Sequence, residues 1–79
     1  MDPADRARPL TYKEVRELES LGFGKKELSR DEGNRLFDYV IECILGDENY
    51  DDYAYPDLLR LYRKTIDLTY PTEEELKNS

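Results

Sequence analysis

The stretch from Ser29 to Gly46, SRDEGNRLFDYVIECILG, constrains this chain more than any other. At 100° per residue, Leu36, Phe37, Val40, Ile41, Cys43 and Ile44 fall on one apolar arc about 160° wide, with Leu45 at its edge. Asp31, Asn34, Arg35, Asp38 and Glu42 take the opposite side. An arc that wide exceeds what one neighbouring helix covers. The segment therefore reads as the central helix of a small all-α domain.

Two further helices frame it. Thr11 and Glu14 form a T-x-x-E capping box, with Leu10 and Val15 at the staple positions around it, and this predicts a helix over about residues 12 to 21. Tyr12, Val15, Leu18 and Leu21 supply its narrow apolar stripe, and Gly22 supplies the stop. Phe23 to Leu28 reads as a connector that tucks its two apolar ends inward. Ser29 with Glu32 repeats the capping box and opens the central helix over 30 to 45, closed by Gly46. Gly33 falls on the apolar arc, where close approach of another helix backbone is expected. Pro56 suits the first position of a third helix over 56 to 69, with Asp57 at its positive dipole end. On that helix Leu58, Leu59, Leu61, Tyr62, Thr65, Ile66, Leu68 and Thr69 span about 180°. Pro71 disfavours helix at Tyr70.

The expected organisation is a three-helix bundle over 10–70, preceded by an arm and followed by a tail. Residues 1–9, MDPADRARP, carry two prolines and no large apolar residue after the initiator methionine, and read as a disordered arm. Residues 71–79 read as a frayed tail, since only Leu76 follows the last T-x-x-E pattern.

Composition narrows the functional classes. A chain of 79 residues makes one domain, with a core that rarely supplies more than about 3–5 kcal/mol net. Its single cysteine, Cys43, forms no internal disulfide, and the lack of histidine argues against a zinc site. Without histidine the usual general base near neutral pH is missing, and neither a Ser-His nor a Cys-His pair can be assembled. No enzymatic activity and no cofactor are expected. The net charge of −7 disfavours nucleic-acid backbones and anionic membranes as partners. No apolar run reaches the roughly 18 residues a bilayer span needs, and the chain reads as soluble and cytoplasmic.

Four features invite sharper readings. Cys43, on the apolar arc, reads as a small hydrophobe. In the loop from Asp47 to Tyr55, the residues Asp47, Asn49 and Asp51 match the first ligands of a calcium loop. The pattern then fails, with Asp52 where glycine makes the turn and Leu58 where a bidentate glutamate is needed, so no metal is expected. Tyr50, Tyr53 and Tyr55 suit either the centre of an interface or a cap over the open end of the bundle. The acidity raises the alternative of a nucleic-acid mimic that inhibits a DNA-binding protein. Arg16, Arg30, Arg35, Arg60, Arg63 and Lys64 interrupt the phosphate-like array such a mimic needs.

The segment RPLTYKEVRELESLGF, Arg8 to Phe23, resembles the opening of small tail assembly chaperones of tailed bacteriophages and prophages. The closing stretch LLRLYRKTIDLTYPTEEELKNS, Leu58 to Ser79, resembles their amphipathic helix and charged end. That resemblance implies a helical accessory protein in the bacterial host cytoplasm, which shields an aggregation-prone tail component such as the tape-measure protein before assembly. The residues are compatible with it, because two half-apolar helices and high net charge suit a chain that covers another protein's apolar surface. The expected contact residues are Tyr50, Tyr53, Tyr55, Leu61, Thr65 and Leu68. The partner is another protein or, as a structural homo-oligomer, the chain itself.

Overall fold

The computed structural model describes residues 2–46 and 49–71. Three α-helices carry the fold: α1 (Tyr12–Ser20), α2 (Arg30–Leu45) and α3 (Tyr55–Thr69). Both capping boxes form as the sequence predicts. Thr11 Oγ1 accepts from the Glu14 amide at 3.2 Å while the Glu14 carboxylate accepts from the Thr11 amide at 2.8 Å. Ser29 and Glu32 do the same at 3.1 and 3.2 Å. α3 starts differently. Its N-cap is Ala54, which has no side-chain acceptor to offer, and Pro56 sits just inside the first turn.

Gly22 ends α1 with φ +116°, a left-handed conformation that a side chain would strain. Gly33 departs from the expectation of a close helix approach, since a Cβ built there meets nothing within 4 Å. It lies in open space, where its cost is not recovered by packing. The connector tucks in only one of its ends: Phe23 packs against the core, while Leu28 stays 39% exposed.

α2 packs against both α1 and α3 and is the central helix. Leu36, Val40, Ile41, Ile44 and Leu45 on α2 meet Leu18 of α1 and Leu58 and Leu61 of α3 in one buried cluster. Each such side chain, fully buried, contributes about 1.5–3 kcal/mol of transfer free energy.

The N-terminal segment, whose composition reads as an arm, runs against α3. Pro3–Arg6 forms a 3₁₀ turn packed along α3, with Pro3 and Ala4 buried. Asp2 caps the turn, accepting from the Ala4 amide at 3.0 Å, and Leu10 joins the core at 8% exposure. The driving force is local to α3, whose half-apolar circumference is wider than α2 alone covers. Pro3 and Ala4 carry little side chain, which lets the backbone lie close to the helix. We call residues 2–10 the strap. The expected tail from Thr72 onward lies outside the described residues, as do Asp47 and Glu48 of the acidic loop.

Candidate functional site

α3 has two apolar sides, and they end up in different environments. On one side Leu58, Leu61 and Thr65 are buried, with Leu61 and Thr65 at 0% exposure, and Leu58 and Leu61 belong to the core shared with α2. On the other flank, Tyr55, Leu59, Tyr62 and Ile66 recur at helical spacing and remain partly or largely exposed. Phe37 of α2 reaches across to this flank. Its ring lies 5.6 Å from that of Tyr55 and 5.4 Å from that of Tyr62, tilted by 36° and 38°. Such offset pairs add about 0.5–1.5 kcal/mol beyond the area they bury. Further along, the Tyr70 ring stacks on Phe23 at 5.1 Å and 22°. The result is an aromatic flank along the seam of α2 and α3. Tyr55 is 64% exposed at one end and Tyr70 38% at the other. Burial pushes the phenols of Tyr62 and Tyr70 up from their ordinary pKa. They stay neutral hydrogen-bonding tips on apolar bodies. Arg63 and Lys64, exposed on the same helix, make no ion pair among the described residues.

The six expected contact residues do not make one surface. Leu61 and Thr65 are core residues and are corrected as such: the part of the apolar arc they occupy is closed by the chain itself. Leu68 is 44% exposed, but about 140° of helix separates it from Tyr55. Tyr50 and Tyr53 are half-buried and pack against the core, the cap placement, while Tyr55 alone of the three projects into solvent. The seven-residue spacing of Tyr55 and Tyr62, with Leu59 and Ile66 between and beyond, was the signal that locates the flank. Phe37 carried no such signal, because nothing in α2 distinguishes the arc residue that meets α3 from those that meet α1.

A second cluster joins the strap, α1 and α2. Arg8 donates from both terminal nitrogens to the Glu14 carboxylate, at 2.9 and 3.0 Å. It also donates to the Cys43 carbonyl at 3.1 Å, one of the C-terminal acceptors that α2 leaves unpaired. The Arg8 hydrogen bonds hold the Glu14 carboxyl well below the usual range, at about 2, against the opposing effect of burial. Burial pushes the neighbouring Cys43 thiol up. Burial, then the hydrogen bond with Cys43, pushes Tyr39 up to about 12. The cluster thus holds a permanent carboxylate, a neutral thiol and a neutral phenol. None of these changes charge near neutral pH, and the cluster's work is to fasten three elements together.

Elsewhere the surface is plain. A shallow depression along α1 is lined by Tyr12, Lys13, Arg16, Glu17 and Ser20, all from one helix, so no facing wall encloses a ligand. Arg16 lies over the Tyr12 ring, 5.7 Å from its centroid. Among the described residues no group of three His, Cys, Asp or Glu stands close enough to hold a metal ion. No helix there is long and apolar enough to cross a membrane.

No protein-family model, curated protein or solved structure matches this chain.

Proposed function

We propose that this chain is a non-enzymatic helical binding module that acts as a tail assembly chaperone of the tailed-phage kind, in the cytoplasm of a bacterial host. Its docking surface is the aromatic flank, and its occupant an amphipathic helix of another protein such as a tape-measure segment. The observation that carries this reading is the row Tyr55–Phe37–Tyr62 on the seam of α2 and α3. Its rings are ordered by contact with one another, yet Tyr55 remains 64% exposed. Pre-ordered aromatic side chains lose little entropy on binding and suit the anchor positions of an interface. The resemblance of Arg8–Phe23 and Leu58–Ser79 to such chaperones supplies the identity of the client. Exposed Arg60, Arg63 and Lys64 on α3 weigh against a nucleic-acid mimic.

The test is light scattering by a purified tape-measure segment of a tailed phage, with and without the chain. Suppression of aggregation that persists in about 0.5 M salt, and is lost in Tyr55→Ser, supports the reading. Protection that disappears with salt would point to charge-driven mimicry. A stable homo-oligomer that buries Tyr55 and leaves the segment to aggregate would make this a structural protein instead.

A further inference from the structure

The strap is held mostly by directional bonds, over a face of α3 rich in large apolar side chains. At one end Asp2 pairs with Arg60 at 3.7 Å, and Arg60 also pairs with Asp57. At the other the Leu10 amide donates to Thr69 Oγ1 at 2.9 Å, and that hydroxyl donates to the Thr65 carbonyl at 2.7 Å. Arg8 fastens the middle to Glu14 and to the end of α2. The strap's apolar contribution is small, consisting of Pro3, Ala4 and Leu10 with Ala7 partly buried. Leu58 and Leu61 of the same helix belong to the core shared with α2, and buried Thr65 lies along α3 between the two anchor residues Arg60 and Thr69. The Thr65 hydroxyl is fully buried and has no hydrogen-bond partner among the described residues. A buried hydroxyl left unpaired is a standing cost in the strapped state, and a differently placed backbone group could relieve it.

We infer that this side of α3 is a peptide-binding groove whose resident ligand is the chain's own N-terminus. A partner segment of the same chemistry enters it by displacing the strap. The chemistry is written in the resident: an acidic residue, then proline and alanine with side chains small enough for close backbone approach. An arginine follows four residues after that alanine to reach Glu14 and the α2 carboxyl end, and a leucine two residues later fills the core position of Leu10. A partner that also offers a backbone acceptor or donor to Thr65 gains a bond that the strap lacks. Thr65 and Leu61 lie about 80° and 120° round α3 from Tyr55, so the groove adjoins the aromatic flank without including its exposed ring.

The probe is a fluorescein-labelled peptide of Asp2 to Thr11, DPADRARPLT, titrated by anisotropy into the full chain and into full-length Ala4→Asp. Aspartate at a buried, closely packed position detaches the strap, which amide exchange at Ala4, Ala7 and Leu10 reports while the α2 amides stay protected. The tethered strap competes with the peptide, so the peptide should bind Ala4→Asp at least about tenfold more tightly than wild type. The same peptide with Ala4→Asp should not bind. Should Ala4→Asp fail to fold, Arg8→Ala loosens the middle anchor and must give the same ranking. Equal affinity for wild type and a strap-released variant overturns the proposal, as does unchanged strap protection in Ala4→Asp. A wild-type dimer with protected strap amides would assign the groove to a second copy's strap and overturn a foreign occupant. Tyr55→Ser should leave peptide affinity within about twofold, so failure of the aromatic flank and failure of the groove give separate signatures.

Discussion

The two sides of α3 begin with similar apolar content and end with opposite fates. Leu58, Leu61 and Thr65 are buried, whereas Tyr55, Leu59, Tyr62 and Ile66 stay partly or largely exposed, with Phe37 against the rings of Tyr55 and Tyr62. The first side is closed within the core shared with α2, in a helix along which the strap also runs, and the second carries rings that leave their outer faces wet. Apolar circumference therefore does not by itself mark a docking face. What marks one is apolar surface that the chain's other segments do not reach.

That contrast can be broken experimentally, and the largest effect belongs to the buried side. Leu61→Ala should cost about 2–5 kcal/mol in urea denaturation, enough to unfold much of so small a domain. A loss below about 1 kcal/mol would mean that this side is open in solution. Arg8→Ala should cost about 1–2 kcal/mol, a range reduced because its side chain is 42% exposed and partly screened by water. The same pair makes stability depend on pH. The Glu14 carboxyl is lowered from 4.5 to about 2, so the folded chain binds fewer protons than the unfolded one between those values. Its contribution is fully present above about pH 4.5 and is lost as pH falls toward 2. Urea midpoints at pH 7 and pH 3 should differ more for wild type than for Glu14→Gln, and equal differences would remove Glu14 from the account.

Smaller effects sharpen the comparison further. Thr65→Val keeps the shape and removes the unpaired hydroxyl, so it should raise stability by about 1 kcal/mol. A decrease would reveal a partner for that oxygen. Tyr55→Ser, on the wet flank, should change stability by no more than about 0.5 kcal/mol, while it removes an anchor for a docked helix. A loss comparable to that of Leu61→Ala would make the flank part of the core.

Local chemistry made most of the helices readable. Both capping boxes involve groups three residues apart, and the width of the α2 arc correctly places that helix between two others. The strap was not readable in the same way. Its fastening bonds link Leu10 to Thr69 and Arg8 to Cys43, and its buried residues are Pro3 and Ala4, types equally common in unstructured arms. For the same reason Leu61 and Thr65 read as available surface: an arc on a wheel says which residues are apolar and not which edge a distant segment will cover. Tyr50 and Tyr53 admitted two readings, and only the packing of the loop onto the core separates them from Tyr55.

The bond between Leu10 and Thr69 joins residues 59 positions apart and turns the chain into a nearly closed ring. Closing so long a loop carries a large entropic cost that is met only once the helices between are packed, so this seam shuts late in folding. Thr69→Val should accordingly quicken unfolding and leave the refolding rate unchanged in stopped-flow traces, and a slower refolding phase would place the ring closure early instead.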